Sequence, residues 1–321
     1  MNPLLRIYRT LPRFDNDRPS AVTIGNFDGV HRGHQAILSR VSEESARRGL
    51  IPTVMTFTPH PRTYFARRGG RPELMPTQIS GLRDKVWALA RQGIHQIIIV
   101  RFNQALADLA AIDFIEHCLV RGLNARWLLV GTDFRYGHKR GGDIELLRRV
   151  GHGSGFAVET IANIADSDGR RISSSEVRTA LAVGDLERAS HLLGRNYSIS
   201  GHVVHGRRLG RTLGFPTLNI HVPARCAARS GVYVVRVHGL SARALDGVAS
   251  LGVRPTVDGA GGVLLEAHLL DSTLDAYGKL TRVEFLEFLR DEEKFPDLPT
   301  MTAAIANDAR RARDYFALHG L

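Results

Sequence analysis

Two histidines three residues apart, His31 and His34, are the first side chains in this sequence whose type and spacing suit chemistry. They stand in a glycine-punctuated stretch, VTIGNFDGVHRGH at residues 22–34, between a short β-rich run and a segment of helical periodicity. Such a loop brings backbone N–H groups and the positive end of a helix to one point, which suits a phosphate. The alternative is a tight turn with two surface histidines. Asp28 and Gly33, arriving with the histidines after a strand, favour a nucleotide site.

Three more loops with unusual residues each follow a predicted strand: TPHPR (residues 58–62), GTDFRYGHKRGGD (131–143) and DSDGRRISSSEVR (166–178). Ligands of open α/β sheets bind outside the carboxyl ends of the strands, so four such loops on one sheet edge predict a binding site there. In the last loop, three serines precede a predicted helix that has Arg178 in its first turn. The serines are either helix caps or, with the arginine, clamps on a polyphosphate.

The second half of the chain offers two further candidate groups. In GFPTLN, Thr217 and Asn219 share one face of an extended segment, where a hydroxyl and an amide oxygen can hold a hard cation and a nucleotide's phosphates. The alternative is an ordinary turn before a half-exposed strand. In VLLEAHLL, Glu266 and His268 share one strand face. The carboxylate lies either at the surface or in a cavity, where it can take a proton from a substrate hydroxyl.

The elements that must position these residues change type along the chain. In residues 1–185, helical segments alternate with apolar strand-like segments, which predicts an open, mostly parallel α/β sheet. In residues 186–321, after one short helical piece, β-rich segments follow each other without helices between them, which predicts an antiparallel barrel. An amphipathic helix at residues 301–318 ends the chain. We therefore expect two domains that meet between residues 185 and 186.

Composition narrows the class of protein. The hydrophobic fraction of 43% and the charged fraction of 23% are ordinary for a soluble globular protein. No run reaches the roughly 18 apolar residues of a spanning helix, and the first residues lack a secretory h-region. Cys118 and Cys226 are far apart and lack metal-ligand spacing, which fits a reducing cytoplasm. The net charge of +11 indicates an anionic partner or none at all, and a phosphate-rich small substrate explains the charge at least as well as nucleic acid.

The motifs carry a family resemblance. GNFDGVHRGH, TFTPHPR, VGTDFRYGHKRGGD and ISSSEVR, in that order, resemble the adenylyltransferase half of bacterial bifunctional riboflavin kinase/FAD synthetases. GHVVHGRRLGRTLGFPTLNI, SGVYVVRV, GVASLGVRPTV, LLEAHLLD, YGK and VEFLEFLRDEEKF are similar to their kinase half. The resemblance spans almost the whole chain. It implies a Rossmann-like nucleotidyltransferase domain with a parallel sheet, then a six-stranded antiparallel β-barrel kinase domain with a C-terminal helix.

The resemblance implies two reactions of a cytoplasmic enzyme that needs Mg²⁺ with ATP as co-substrate. The C-terminal domain would phosphorylate riboflavin to FMN with release of ADP. The N-terminal domain would adenylylate FMN to FAD with release of pyrophosphate. The expected partners are therefore riboflavin, FMN, FAD, ATP, ADP and pyrophosphate, with neither nucleic acid nor membrane among them, and a homo-oligomer is left open.

The resemblance also implies roles for single residues of the adenylyltransferase. His31 and His34 would act at the phosphates as electrostatic clamps and not as bases, because an FMN phosphate is already ionised near neutral pH. The expected ATP-binding residues are Gly25, Phe27, Asp28, Gly33, Ser174, Ser175 and Arg178, although Phe27 is given no chemistry of its own. The expected flavin-binding residues are His60, Pro61, Asp133 and Phe134.

In the kinase half the resemblance implies one general base, Glu266, because a ribityl hydroxyl is not ionised. Gly210, Thr217 and Asn219 would bind the nucleotide, the last two as Mg²⁺ ligands. Arg290 and Glu293 would border the riboflavin pocket.

Departures from the family pattern are few. Leu218 replaces a usual alanine and Ser250 a common asparagine, which leaves the shape of the kinase pocket less defined. Ser175 replaces a frequent threonine and keeps the hydroxyl. Two other classes make different predictions. A different nucleotidyltransferase with the barrel as a binding module predicts no riboflavin phosphorylation by residues 186–321, and PTLN and LLEAHLL argue against it. A nucleic-acid-binding protein predicts salt-sensitive binding and no flavin binding.

Overall fold

The computed structural model describes residues 5–11, 18–166, 168–206, 210, 213–223, 225–254, 262–272 and 274–320. Within these residues the chain forms two compact units. The first unit takes its residues from Met1–Pro76 and Lys85–Ser173, and the second from Thr77–Asp84 and Ser174–Leu321. The boundary predicted between residues 185 and 186 concerns the two functional domains and stays a prediction.

The first unit is built on a six-stranded sheet in which neighbouring strands pair in parallel. Its order is β1-β4-β3-β2-β5-β6. The strands are β1 (Arg6–Tyr8), β2 (Ser20–Ile24), β3 (Ile51–Thr58), β4 (Gln96–Arg101), β5 (Ala125–Gly131) and β6 (Ala157–Ile161). The chain proceeds from β2 through β3 to β4 on one side and then crosses to β5 and β6 on the other. The predicted parallel α/β sheet is therefore confirmed, and its switch point, where such sheets bind ligands, lies between β2 and β5.

Helices connect these strands. They are α1 (Arg32–Arg48), α2 (Pro61–Arg68), α3 (Leu82–Ala90), α4 (Gln104–Ala107), α5 (Ala111–Phe114), which continues as a π-helical segment (Ile115–Gly122), and α6 (Ile144–Ser154). Helix α1 ends at Gly49, whose φ of 66° lies in the left-handed region that glycine adopts without a steric penalty. The start of α3 belongs to the second unit and the remainder to the first.

The two prolines of TPHPR predict a loop that stops helix as well as strand. For Pro61 this is wrong, because the residue occupies the first position of α2. Proline is well suited to that position, since the N–H that it lacks would have no partner within the helix. His60 directly precedes the helix, and its side chain accepts a hydrogen bond from the backbone N–H of Arg62.

The core of the first unit contains side chains of the central strands and of the helices packed on them. Strand β2 is buried along its whole length and β4 along all but its last residue, as expected for parallel strands covered on both faces. Phe114, Leu119 and Leu147 from the covering helices belong to one buried cluster with Val22 and Leu128 from the strands. Each such side chain contributes about 1.5–3 kcal/mol to stability through burial.

The second unit contains the predicted antiparallel barrel, closed in the order β10-β11-β8-β7-β12-β9. Its strands are β7 (Ser198–Val204), β8 (Thr217–Val222), β9 (Gly231–His238), β10 (Leu245–Arg254), β11 (Gly262–Leu269) and β12 (Leu280–Arg290). Two helices, α7 (Ser174–Val183) and α8 (Leu186–Leu193), precede the barrel, and α9 (Leu298–Leu318) follows it. The six-stranded barrel with a C-terminal helix is therefore confirmed.

Helix α9 packs on the barrel through the apolar stripe that its periodicity predicts. Ala309, Ala312 and Phe316 are buried against Val232 and Val248 of β9 and β10. Strand β11 alternates strictly between half-buried and buried residues. This alternation sends two sets of side chains to opposite faces of the barrel wall.

A short piece of chain, Thr77–Asp84, is part of the second unit although residues of the first unit flank it on both sides. The N–H of Gln78 donates to the carbonyl of Arg225 at 2.6 Å, and the N–H of Ala227 donates to the carbonyl of Gln78 at 3.0 Å. The carboxylate of Asp84 accepts a hydrogen bond from the N–H of Ser200 at 3.2 Å. These bonds fix the segment to the loop before β9 and to strand β7.

Candidate active sites

The loop after β2, residues 25–34, lies beside the switch point of the sheet and is called the histidine loop below. Its start is tied to β3, because the N–H of Gly25 donates to the carbonyl of Met55 at 3.1 Å and the hydroxyl of Thr56 donates to the carbonyl of Asn26 at 3.2 Å. Two of its residues, Phe27 and Val30, have φ angles of 47° and 43°, values that residues other than glycine rarely adopt. Each such residue costs about 1–3 kcal/mol, so the surrounding contacts must hold the loop in place.

The two histidines meet as the spacing predicts. His31 is at the N-cap position of α1 and His34 is in its first turn, and their rings stack with centroids 3.7 Å apart. The buried Phe27 ring lies 5.1 Å from the His34 ring. The first turn of α1 contains no acidic residue. The helix N-terminus and two imidazoles therefore face one place without a competing carboxylate on that turn, which favours an anion.

Gly33 gives the histidine pair its room. A Cβ added at Gly33 would lie 3.1 Å from the carbonyl oxygen of Ile172 and 3.2 Å from the His31 ring, closer than ordinary van der Waals contact. The sequence identified Gly33 as part of the site, and the geometry gives the physical reason for a glycine there. Asp28 is buried in the same loop, with 6% of its surface exposed.

Lys85 is a neighbour of the histidine loop that sequence reasoning missed. Its ammonium donates to the carbonyl of Asn26 at 2.7 Å. Burial lowers the pKa of Lys85, and the negative charge of Asp28 opposes that effect. On the amphipathic helix α3 a lysine looks like any solvated charge, so only the tertiary structure reveals this one.

The residues predicted to bind flavin in the first unit have modest contacts of their own. Asp133 forms an exposed ion pair with Arg171 at 3.3 Å, a kind of contact that contributes little to stability. The half-buried Phe134 ring stacks on Tyr136 at 5.7 Å. Burial raises the pKa of Tyr136 to about 12, so its hydroxyl stays protonated at neutral pH. His60 and Pro61 form the start of α2.

An aromatic group lies next to these residues and was not predicted. Tyr64 and Phe65 of α2 pack edge-to-face with Phe102, which in turn contacts Phe57 at the end of β3. Phe65 is 52% exposed. Exposed aromatic faces near the carboxyl ends of β3 and β4 can receive a flat ring system. The clustering depends on pairing between β3 and β4, which a single sequence does not reveal.

Ser174, Ser175 and Arg178 belong to the second unit, where they lie in the first turn and a half of α7. The guanidinium of Arg178 donates through Nε to the carbonyl of Thr77 at 2.7 Å, so this side chain is anchored to the segment Thr77–Asp84. Their joint action with the histidine loop stays a prediction.

The barrel brings together five of the residues predicted for the kinase. A cavity of about 280 Å³ between the barrel wall and α9, called the barrel cavity below, is bordered by Gly210, Thr217, Glu266, Arg290 and Glu293. The same cavity also has apolar lining residues, among them Val232, Val248, Phe295, Met301 and Ile305. A cavity with both charged and apolar lining is typical of a site for an amphipathic small molecule.

Glu266 faces this cavity and not the closed side of the wall. Its neighbours Leu265 and Ala267 are fully buried, whereas Glu266 is half-buried and borders the cavity with His268. In the barrel register Glu266 is opposite Ser250 on β10 and opposite Asn219 on β8. The sequence left two positions open for this carboxylate, at the surface or lining a cavity. In the structure Glu266 lines a cavity.

Asn219 has the features of a ligand-binding amide. It is 5% exposed, and its Nδ2 donates to the carbonyl of Thr217 at 3.3 Å. Its Oδ1 is buried and accepts no hydrogen bond from any described residue. A Cβ at Gly206 would lie 2.6 Å from that oxygen, so the glycine leaves room for the amide. A buried oxygen that accepts no hydrogen bond from the described residues, two positions along the strand from a threonine, fits a hard cation that also has phosphate ligands.

Thr217 borders a second cavity as well, one of about 580 Å³. This second cavity is lined by Val203, Pro216, Thr217, Leu218, Leu269, Ser272, Leu274, Asp275, Ala276 and Tyr277. Its larger volume suits a nucleotide. A molecule in either cavity can therefore reach Thr217.

Arg290 is held by a buried carboxylate of α9. Its Nε and Nη2 donate to Asp308 at 3.0 and 2.7 Å, and Asp308 is 3% exposed. These hydrogen bonds raise the pKa of Arg290. The guanidinium also lies 5.7 Å from the Phe295 ring. Asp308 was not predicted, although the sequence held a signal, because it interrupts the apolar stripe of α9 that contains Ala309 and Ala312.

Glu292 also lines the barrel cavity and was not predicted, and Ser250, a departure from the family pattern, lines it too. The hydroxyl of Ser250 donates to Glu292 at 3.2 Å. A Cβ at Gly252 would overlap the Glu292 carboxylate, so that glycine is required for the carboxylate to lie where it does. The departure at Ser250 therefore keeps a polar contact at the cavity rim.

A parallel α/β sheet followed by an antiparallel barrel, each with a candidate site, is the architecture expected of a two-domain nucleotide-dependent transferase. Residues 13–176 match the family model described as FAD synthetase, and residues 193–316 match that described as riboflavin kinase. The chain belongs to the family of bifunctional riboflavin kinase/FMN adenylyltransferases. The predicted family, its two activities and their order along the chain are confirmed.

Relatives support the same assignment. The bifunctional riboflavin kinase/FMN adenylyltransferase of Escherichia coli is 43% identical over 92% of this chain and 93% of its own. That of Pseudomonas fluorescens is 42% identical over the same shares of the two chains. The crystal structure of a protein described as a macrolide-efflux protein of Streptococcus pneumoniae superposes with a TM-score of 0.76 and 28% identity, covering 95% of this chain and 98% of that one. In the part of our chain that the structure describes, no helix is long and apolar enough to cross a membrane.

Proposed function

We propose that the barrel cavity is the riboflavin kinase site and that the histidine loop is the FMN adenylyltransferase site. The observation that supports the first assignment most directly is that five predicted kinase residues border one cavity. The stacked His31 and His34 at the N-terminus of α1 support the second.

In the kinase, riboflavin occupies the barrel cavity with its ring system against the apolar side and its ribityl chain toward Glu266. ATP occupies the second cavity, so that its γ-phosphate reaches Thr217, which both cavities share. Glu266 accepts the proton of the ribityl 5′-hydroxyl while that oxygen forms a bond to the γ-phosphorus. The bond to the β,γ-bridging oxygen breaks, and ADP leaves. Arg290, held by Asp308, and Glu293 border the flavin.

Families of this kind depend on nucleotides with a divalent cation, and we propose Mg²⁺ as that cation. The hydroxyl of Thr217 and the free Oδ1 of Asn219 would hold it, and Gly210 would border the nucleotide phosphates. Among the described residues no group of three or more His, Cys, Asp or Glu could hold a metal by itself. A site made of two neutral protein oxygens fits an ion that also has phosphate and water ligands. When bound, Mg²⁺ would supply neutralisation of phosphate charge.

In the adenylyltransferase, a phosphate oxygen of FMN forms a bond to the α-phosphorus of a second ATP, and pyrophosphate leaves with the electrons of the broken bond. FMN phosphate is already ionised, so this step needs no general base. His31, His34 and the N–H groups of the loop with Gly25 and Gly33 neutralise the phosphates. Asp28 borders the same loop. The motif ISSSEVR supports Ser174, Ser175 and Arg178 as further phosphate ligands.

The flavin of the second reaction would lie against Phe134, Asp133 and the start of α2 at His60 and Pro61. The exposed aromatic group that includes Phe65 supports this, because an isoalloxazine ring stacks well on aromatic faces. Phe27 supports the histidine loop by packing, since only 1% of its surface is exposed.

We also propose that the enzyme works in the cytoplasm, where ATP is abundant. Both cysteines, Cys118 and Cys226, are free, which fits a reducing compartment.

The test is to incubate the purified chain with riboflavin, ATP and Mg²⁺ and to separate riboflavin, FMN and FAD by chromatography. FMN should appear first and FAD later. Supplying FMN in place of riboflavin should yield FAD and pyrophosphate directly. Formation of neither flavin nucleotide would contradict both assignments.

A further inference from the structure

Lys85 is a half-buried cation that the proposed chemistry of the histidine loop does not use. Its ammonium lies against the carbonyl of Asn26 at 2.7 Å, and burial lowers its pKa. Removing an ammonium from water is unfavourable unless the protein supplies partners. The partners here are a loop carbonyl and the negative charge of Asp28, both belonging to the histidine loop.

The contact reaches the residues that would meet the phosphates through a short series of neighbours. Asn26 is followed directly by Phe27, which has a left-handed φ of 47° and is buried. The Phe27 ring lies 5.1 Å from His34, and the His34 ring stacks on His31 at 3.7 Å. A loop with unfavourable backbone angles keeps them only where other contacts hold it. The bonds of Lys85 and Thr56 to the Asn26 carbonyl are two such contacts.

We propose that Lys85 is a positioning residue for adenylyl transfer, which holds the histidine loop through the Asn26 carbonyl so that His31 and His34 meet the reacting phosphates. Lys85 does not itself touch the substrate in this proposal. The inference rests on the proposed role of the histidines and extends it to a residue of α3.

The main test is Lys85→Met in the full chain, assayed for FAD formation from FMN and for FMN formation from riboflavin. We expect kcat for FAD formation to fall on the order of 10- to 100-fold, because a small misplacement of groups that act in the transition state is costly. KM for FMN should stay within about threefold, since ground-state binding is not the function removed. FMN formation should not change. The matched control is Arg91→Met, which removes an exposed cation one residue beyond α3 and should leave both activities unchanged.

A purely structural role has a different signature. If the lost activity of Lys85→Met returns when the assay is cooled far below the unfolding transition of the variant, the lysine only stabilises the fold and the proposal is wrong. The proposal is equally wrong if kcat stays within about twofold of the wild type. Should Lys85→Met fail to fold, Lys85→Gln keeps a polar side chain at this position but shortens it and removes the ammonium that donates to the Asn26 carbonyl. An unchanged kcat for FAD formation in that variant overturns the proposal, and a reduced kcat with unchanged KM supports it.

His34→Ala distinguishes this inference from the function on which it rests. If His34→Ala keeps full FAD synthesis, the proposed role of the histidine loop is wrong, whatever Lys85→Met does. If His34→Ala loses FAD synthesis and Lys85→Met keeps it, the role of the loop stands and only the positioning role of Lys85 is wrong.

Discussion

The two candidate sites of this chain are held in place by different means. In the barrel, Thr217, Glu266 and Arg290 stand on strands whose ladder hydrogen bonds fix the backbone directly. At the sheet edge, the histidines stand at the end of a loop in which Phe27 and Val30 adopt unfavourable angles. A strand positions a side chain with the bonds that make the fold. A loop of this kind needs additional contacts, and those contacts belong to residues outside the motif.

The chemistry of the two sites differs in a parallel way. Phosphorylation of riboflavin starts from a neutral hydroxyl and needs a carboxylate to accept its proton. Adenylylation of FMN starts from an ionised phosphate and needs positive groups and N–H donors in the right places. In the proposed assignment, the barrel cavity with Glu266 meets the first need, and the N-terminus of α1 with its two imidazoles meets the second.

The largest expected effect comes from removing the proposed general base, which only the riboflavin kinase reaction needs. Glu266→Gln should lower FMN formation from riboflavin by about 10²–10⁴-fold, the usual contribution of a general base. FAD formation from supplied FMN should be unchanged, because Glu266 is part of the barrel. Both rates are measured by chromatography of the flavins. Loss of both activities would break the assignment of one reaction to each site.

The converse change is made at the sheet edge. His31→Ala or His34→Ala should lower FAD formation on the order of 100-fold, since losing a contact to a charged transition state costs on the order of 3 kcal/mol. FMN formation from riboflavin serves as the control within the same protein and should be preserved. Nearly unaltered FAD synthesis in either variant would contradict the phosphate-binding role of the histidine loop and leave it as an ordinary turn.

A smaller effect tests whether the barrel site depends on its support in α9. Asp308→Asn should reduce the stability of the second unit by about 3 kcal/mol, because it leaves Arg290 without its buried counter-charge. KM for riboflavin should rise. The matched control is Asp314→Asn on the same helix, whose partner Arg310 is exposed, and it should cost at most about 1 kcal/mol. Thermal unfolding and riboflavin titration measure the two effects, and equal behaviour of the two variants would contradict the role of Asp308.

The smallest effect concerns the helix that carries His34. Glu44 of α1 is 2% exposed and is bonded to Arg47 and Arg48, which lower its pKa to about 2 from an ordinary value of 4.5. A pKa lowered by folding contributes stability above pH 4.5 that is lost as the pH falls toward 2. Glu44→Gln should therefore be less stable than the wild type at neutral pH, and the difference should close on acidification.

Thermal unfolding across pH measures the effect of Glu44, with Glu43→Gln as the control. Glu43 neighbours it on the same helix but is exposed and bonded only to Ser39 among the described hydrogen bonds. The stability difference between Glu43→Gln and the wild type should show no comparable dependence on pH. A constant difference between Glu44→Gln and the wild type down to pH 2 would contradict the electrostatic explanation.

Local periodicity accounts for what could be predicted from the sequence. The two-residue period of β11 placed Glu266 and His268 on one face of that strand. The helical period of α9 placed Ala309, Ala312 and Phe316 on the buried face of that helix. The apolar runs identified the central parallel strands. These patterns reflect how each segment meets water, so they can be read without knowledge of the rest of the fold.

What could not be predicted depends on contacts between distant segments. Strand β1 has three residues, two of them exposed, and therefore no apolar pattern. Pairing of Lys85 with Asn26 joins residues 59 positions apart, and pairing of Arg290 with Asp308 joins two elements. The aromatic group around Phe102 forms because β3 and β4 are neighbours in the sheet. Such residues look ordinary in the sequence, because their role arises only from the tertiary partner.

The segment Thr77–Asp84 has a consequence for engineering. Its backbone completes the hydrogen bonding around Arg225 and Ala227, and its Asp84 bonds to strand β7, yet residues of the other unit flank it on both sides. Any single cut of the gene between the two modules leaves this segment with the adenylyltransferase product, and the kinase product then lacks those bonds. Recombination of modules between relatives therefore has to transfer the barrel together with this segment, as two separate pieces of coding sequence.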